Sequence, residues 1–584
     1  MAEVETRERL LPVVLAACAI LLVAALIGVG LTSCAGGGED EAAEEQASEE
    51  QQASEEDAAE EEPVYEGPST TITEEGVACE NDLLQAEVED AHSWFKEHIY
   101  DEEAQAAVAE ELDAAKDGQT MDEPLVRYNP FGTNSQSLYL YFLTDEAASI
   151  SYTVSADGVA DFTREVADGE ASTEHEFQLT GLVPDAENTI TLTATFEDGS
   201  TRESEFSCDM CGVLGDEELQ LPVTEGESDA QLADGLYAVL GNDDTNLDFV
   251  YFYDNEGVLR AELPILGYRA TRLLFDDGLM YFATGHYSMA AMNELGQIER
   301  VYDLDGWKAH HDYVFGEDGT MLILATDPEA DSVEDMVISL DLDTGEVQLV
   351  LDMGELMPDF KEESLAYHEA YATDQVYEEG VDWIHFNTIQ YMGDGEVLLS
   401  SRETSSVIKI DDIYGEPSID YLIGSEEYWE GTDYEDLVLE QLGDFTIHGG
   451  QHTVTYVEDG DLEEGQYYLY LFNNNNGTSY DETNDFDYES IGLSDHGDTT
   501  EEEGVYSYYY KYLVDEEEGT FELVDSFAVP YSGYVSSVQE LGDNVLVDSG
   551  NLGVFGEYDE DHVLIRSFSM EFQDYLYRVY KYEL

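Results

Sequence analysis

From about Asp216 to the C-terminus the chain repeats one pattern: an apolar run, a turn built on Asp-Gly or Gly-Asp, a second apolar run, then further short runs. Copies begin near Tyr237, Arg272, His311, His385, Gln451 and Ser537. Asp-Gly between apolar runs is a strong hairpin signal, because a type I′ turn needs positive φ at both central residues. A unit this short cannot bury its apolar face alone, so the copies must stack on one another. Six irregular all-β units of about 35 to 85 residues predict a six-bladed β-propeller over 216–584. Residues 475–505, rich in Asn, Asp and Glu, read as one long loop.

Upstream, residues 76–215 predict a second unit. Asp82 to about Lys116 carries Leu83, Leu84, Val88, Trp94, Phe95 and Ile99 at spacings of three and four, which predicts a helix. From Leu125 to Phe206 the period changes to two, in runs such as Ser137–Phe142, Ser149–Val154, His175–Thr180 and Thr189–Phe196. Short strands separated by Asp-Gly turns predict a small immunoglobulin-like β-sandwich after that helix. The expected class is therefore all-β.

The first 33 residues hold an apolar run, Leu10 to Gly30, behind Arg7 and Arg9. Such a segment is a secretory signal or a membrane span. It closes on Leu31-Thr32-Ser33-Cys34, which resembles the lipobox of bacterial lipoproteins. That resemblance implies lipidation of Cys34 and an exported, cell-surface chain anchored to the outer face of the cytoplasmic membrane. The alternative is an uncleaved anchor, since the run is long enough to span. Residues 34–75 are expected to be an acidic, disordered tether. Beyond Cys18 and Cys34, Cys79, Cys208 and Cys211 make one bridge and one leftover thiol, with the pairing open. Nineteen Lys and Arg against 136 Asp and Glu give a net charge of −117. Such a surface repels phosphate, so nucleic acid is excluded as a partner.

In a propeller the innermost strands line one channel, so residues at one phase of the repeat converge there. Counting back from the Asp of three turns, Asp318, Asp394 and Asp459, gives His311, Asn387 and His452. His385 shares a strand face with Asn387. Arg402 ends the second strand of the same copy. Imidazoles in register with a guanidinium suit nucleophilic and acid–base chemistry on an anionic group. The bland reading is that polar inner-strand residues bond channel water.

Asp382-Trp-Ile-His-Phe-Asn387, Leu398-Leu-Ser-Ser-Arg402, Ala309-His-His-Asp312, Gly450-Gln-His-Thr453 and Asn129-Pro-Phe-Gly-Thr133 resemble motifs of the arylsulfate sulfotransferase family. The resemblance covers about residues 80–584. It implies a sandwich plus six-bladed propeller that moves a sulfuryl group from a phenolic sulfate donor to a phenol acceptor. It implies no nucleotide donor, no cofactor and no metal. Mapped by motif, His452 is the nucleophile and His311 the acid or base, with His310 as a substitute. His385, Asn387 and Arg402 hold the sulfate oxygens. In the last copy, Ser536 or Ser537 is expected to present a hydroxyl at the channel mouth and Tyr531 and Tyr534 to stack on a phenyl ring, the alternative being ordinary strand packing. A homodimer is compatible with this reading. The family's cysteine pair before the nucleophile is absent, since no Cys follows Cys211, so the loop before His452 must be held otherwise. Two competing readings are a non-catalytic surface propeller that binds a partner or glycan, and a metal enzyme using His310, His311, His385 and Asp312.

Overall fold

The computed structural model describes residues 64–584 apart from 74–75, 216, 242–247, 372–379, 480, 482, 501, 574 and 584. The apolar leader, Cys34 and most of the acidic tract lie outside the described residues. Among the described residues no helix is long and apolar enough to cross a membrane.

Six four- or five-stranded sheets form the propeller, antiparallel except where Glu440–Leu442 adds in parallel to the edge of blade 5. Blades 2 to 5 begin their inner strands at Leu274, Lys308, Phe386 and His452, and blade 6 at Ser537. The expected hairpins form: Asp277-Gly278, Asp318-Gly319 and Asp394-Gly395 all have positive φ at both residues, as a type I′ turn demands.

Blade 1 departs from the simple repeat. Its innermost strand is Arg578–Tyr582 from the C-terminus, paired with Leu236–Leu240. At the start of the propeller segment, Val223–Glu225 adds the outermost strand of blade 6, against Arg566–Phe568. Both ends of that segment are thus sewn into the ring, which leaves few open edges. Lys581 Nζ sits 2.6 Å from Glu557 Oε1 and both side chains are fully buried. Tyr237 Oη also donates to Glu557, and the ammonium lies 4.1 Å over the Tyr237 ring. This pair locks blade 1 to blade 6.

The N-terminal unit is an eight-stranded sheet around Leu138–Ser155, an 18-residue strand that pairs in succession with 125–128, 172–179, 187–196 and 162–165. Its alternate residues Leu138, Leu140, Phe142, Ile150, Tyr152 and Val154 enter one core. Two differences from the sequence reading stand out. The tether ends earlier than 75, because Pro68–Ile72 pairs with Val77–Asn81. The single helix is broken into Asp82–Gln85, Val88–Trp94 running on into Phe95–Ile99, and Glu102–Ala115, the last capped by Asp101 Oδ1 on Ala104 N–H at 2.8 Å. The sandwich is bonded to blade 1. Buried Glu262 accepts from Leu214 N (2.7 Å) and Gly215 N (3.0 Å), and buried Arg260 donates to Gly181 O (3.0 Å) and Ala160 O (2.9 Å).

Candidate active site

The inner strands of blades 3, 4 and 5 each carry a β-bulge near the start of the strand. In blade 3 the ladder skips between Ala309 and Tyr313, in blade 4 between Phe386 and Thr388, and in blade 5 between His452 and Thr455. His311, His385 and Thr453 sit there with φ of 49°, 51° and 49°. A non-Gly residue in this region costs on the order of 1–3 kcal/mol, and bulges re-aim side chains next to sites. The local strain turns consecutive imidazoles toward one place.

His311 and His385 meet, their ring centroids 4.6 Å apart. His310 Nδ1 lies 3.0 Å from His311 Nδ1. His452 is 2 % exposed. Its Nδ1 faces Asn474 Oδ1 at 3.0 Å and Gly450 O at 3.1 Å. Both are acceptors, so Nδ1 carries the hydrogen and Nε2 the lone pair. Asn474 cannot turn its amide, because its Nδ2 donates to Ser532 O (2.8 Å) and Val535 O (3.1 Å).

The site is charged asymmetrically. Burial holds the His452 ring well below its usual proton affinity; the Asn474 hydrogen bond opposes it, and His385, Arg402 and Arg578 add to the lowering. Burial likewise keeps His311 neutral, and lowers His310 to about 4. His385 goes the other way. Burial and Arg402 push its pKa down, yet Asp382 and Glu334 outweigh them and lift it to about 9. Its Nδ1 is 2.6 Å from Asp382 Oδ2 and 2.7 Å from Glu334 Oε2. The site therefore holds neutral His452 and His311 beside a charged His385.

Arg402 donates its backbone N–H to His385 O (3.1 Å) and its guanidinium to Glu403 (Nε, 2.8 Å), with Asp382 Oδ2 3.8 Å away. Glu403 is gripped in turn by the long loop. Asp481 N bonds its carboxylate at 3.1 Å, and Asn484 Nδ2 and Tyr488 Oη bond its carbonyl at 2.8 and 3.2 Å. The loop before His452 is held without cysteine. Gly449 N donates to Asn473 Oδ1 (3.0 Å), Gly450 N to Ser405 Oγ (3.1 Å), and Gln451 Nε2 to Ser400 Oγ and Ser401 O (3.0 Å each).

Other expected residues have different neighbours. Asn387 Nδ2 donates to Gln451 O at 2.8 Å, which ties blade 4 to the residue before His452. Ser536 Oγ bonds Ser532 Oγ (2.8 Å) and Gly550 N (3.0 Å), while Ser537 Oγ bonds Val579 O (3.0 Å). Both serines are fully buried in the seam between blade 6 and the C-terminal strand. Tyr531 is buried with its hydroxyl on Gly497 O, and Tyr534 packs edge-on to Tyr575. Asp312 belongs to a buried ion cluster with Arg272 (2.9 Å) and Arg578 (3.0 Å), which removes it from the metal set. The groups His310–His311–Glu334 and Glu334–Asp382–His385 do bring ligand-type atoms together. Donor atoms around a zinc ion at about 2.0–2.1 Å stand roughly 3.3 Å apart, whereas His385 Nδ1 is 2.6 and 2.7 Å from its carboxylates, a spacing for a shared proton.

Glu334, Glu403, Arg269 and Arg578 escaped the sequence reading. Arg269 lies 3.9 Å over the Tyr577 ring and adds to the fields that depress His311. The scarcity of cations in a chain with 19 Lys and Arg was the available signal for the arginines. Glu334 sits in a loop, where acidic residues are common throughout this chain.

A search of curated proteins finds no match. Solved structures resemble the chain only loosely. BamB from Moraxella catarrhalis has 12 % identity and a TM-score of 0.27, covering 61 % of this chain and 91 % of that one. An auxiliary nutrient binding protein from Bacteroides thetaiotaomicron has 10 % identity and a TM-score of 0.30, covering 76 % and 88 %. The WD40 domain of Toxoplasma gondii coronin has 9 % identity and a TM-score of 0.28, covering 60 % and 76 %. None of these likenesses bears on function. Family models are decisive. The arylsulfotransferase Ig-like domain matches residues 125–210, and Arylsulfotransferase (ASST) matches residues 223–578. With the site's histidines and Arg402 inside the second match, the chain belongs to the arylsulfotransferase family.

Proposed function

We propose that this sulfotransferase moves a sulfuryl group from a phenolic sulfate ester to a phenol through a sulfohistidine at His452. The observation that carries the reading is the His452 ring, fixed by Asn474 with its Nε2 lone pair available and held neutral by burial and by His385, Arg402 and Arg578. A neutral imidazole is a competent nucleophile near pH 7. In the first half-reaction Nε2 attacks sulfur, the S–O bond to the aryl group breaks, and the leaving phenolate takes a proton. His311 is neutral and its remaining N–H is too weak an acid to give one; His385 is the protonated ring. We therefore give His385 the proton transfer, with Nδ1 clamped by carboxylates and Nε2–H left for the substrate.

In the second half-reaction the acceptor oxygen attacks sulfur, the N–S bond breaks, and the acceptor's proton returns to His385 Nε2. Such acid–base transfer is worth about 10²–10⁴ in rate. His311 Nδ1 lies 3.0 Å from His310 Nδ1 and 3.5 Å from Glu334 Oε2, and we assign this neutral ring to the phenol oxygen as a hydrogen-bond partner. Arg402 is assigned to the sulfuryl oxygens, where a fixed donor is worth roughly 10²–10³. The ring contact of His311 with His385 counts against a non-catalytic propeller. The lipobox-like Cys34 supports export and surface anchoring of the enzyme.

The test is incubation with 4-nitrophenyl sulfate and a phenol acceptor, then mass analysis of the His452 peptide. Transfer with one SO₃ retained on that peptide is expected. No transfer sinks the reading, and transfer without a sulfated peptide sinks the intermediate.

A further inference from the structure

We infer that Glu334 is a positioning residue that, with Asp382, fixes the tautomer and the charge of His385. The inference rests on the reading of His385 as proton carrier. Glu334 comes from the loop joining the second and third strands of blade 3, and it is stapled to the segment that carries His385. Val333 N donates to Val381 O (3.0 Å), Trp383 Nε1 to Asp335 Oδ2 (2.8 Å), and Phe386 N to Glu334 O (3.0 Å). Glu334 itself adopts φ of 60°, and its N–H is held by Thr326 Oγ1 at 2.9 Å. A left-handed glutamate held through its own N–H and C=O, with both neighbours bonded to the next blade, is a costly arrangement. Its result is a carboxylate oxygen 2.7 Å from His385 Nδ1 and 3.5 Å from His311 Nδ1.

The groups facing His385 come from every packed element: Asp382 on its own segment, Glu334, His310 and His311 from blade 3, Arg402 and Glu403 from the end of the blade 4 hairpin, and His452 from blade 5. Asp382 alone opposes Arg402 in charge. The second carboxylate tips the balance toward imidazolium. With Nδ1–H given to Asp382 and in ion-pair contact with Glu334, the proton that leaves and returns is the one on Nε2.

The test is the protonation of His385 followed by ¹⁵N NMR of histidine-labelled full-length protein, with His385→Gln for assignment. The wild type is expected to stay charged through pH 8. Glu334→Gln is expected to titrate at least tenfold more readily, and Glu334→Asp to recover part of the shift. The alkaline limb of kcat/KM should move with it. An unchanged titration in Glu334→Gln overturns the inference, even if activity falls. Thr326→Val, which loosens the loop, is the fallback if Glu334→Gln does not fold, and the same outcomes apply. Failure of transfer by the wild type would sink the enzymatic reading while leaving the titration result standing.

An independent observation carries a second inference, a disulfide between Cys79 and Cys208. Their Sγ atoms are 3.4 Å apart, both side chains are buried, and their strands run parallel in one sheet. Cys211 instead has its sulfur 3.1 Å from Tyr128 Oη. The two thiols lose two protons and two electrons, which the disulfide of oxidised glutathione accepts as two glutathione thiols. Peptide mapping after incubation with that reagent is expected to give a Cys79–Cys208 cross-link and a free Cys211. A Cys208–Cys211 link, or three free thiols, overturns it.

Discussion

Asn474 decides which nitrogen of His452 is the base: its Oδ1 stands 3.0 Å from Nδ1, and its own amide is pinned by the carbonyls of Ser532 and Val535. Asn474→Ala is therefore expected to lower kcat by about 10–100-fold, the usual effect of losing an orienting partner, with little change in KM. Steady-state kinetics with 4-nitrophenyl sulfate checks it. A rise in KM at unchanged kcat would place Asn474 in substrate binding instead.

His452→Ala is expected to abolish transfer and the sulfated peptide while keeping the thermal transition. His311→Gln and His385→Gln separate two roles. Loss of His385 should be the greater with poor phenolate leaving groups, since those need the proton most. Equal losses across leaving groups would return the proton transfer to His311.

The pH profile follows from the charge states. His452 is already neutral well below its ordinary range and His385 stays charged to about 9. kcat/KM should be flat from roughly pH 6 to 8 and fall as pH rises through 9. A limb near 6.5 would contradict both assignments.

Stability has its own pH dependence. His310 and His448 are buried neutral, with pKa lowered to about 4 and about 3 chiefly by burial. The unfolded chain binds those protons first, so stability is expected to fall as pH drops below about 6.5. His385 acts oppositely. Its raised affinity stabilises the fold fully below about 6.5, and that contribution is lost as pH climbs through about 9. Urea unfolding against pH measures both.

Lys581→Ala leaves Glu557 buried without its charge partner. The cost should be about 3–5 kcal/mol, read as a lower midpoint in urea. A double Lys581→Met, Glu557→Leu variant should recover most of it. A near-neutral Lys581→Ala would mean that the seam between blades 6 and 1 is not held by this pair.

The parts of the fold that depend on local pattern were legible. Asp-Gly turns, apolar pairs of strands and the period-2 runs of the sandwich are short-range signals, and they appear as hairpins and strands, except that the runs at 137–142 and 149–154 are one continuous strand, Leu138–Ser155. The closure was not legible, because Arg578–Tyr582 looks like any apolar strand until it is seen beside Leu236–Leu240, some 340 residues away in sequence. The helix near 82–116 breaks where the chain packs Trp94, Phe95 and Ile99 against blade 1, a tertiary demand that spacing alone does not reveal.

In the site, the repeat by itself brought His311, His385 and His452 to successive inner strands, and the motif around Asp382 and Arg402 named the family. Which ring is charged was decided only by the fold. Proton affinity depends on burial and on carboxylates delivered from other segments, and Glu334 reaches His385 from another blade. The same holds for Ser536 and Ser537, whose hydroxyls face the seam rather than the channel. Sequence spacing orders residues along a strand; only the packed structure sets which charges are close enough, in a medium dry enough, to move a proton.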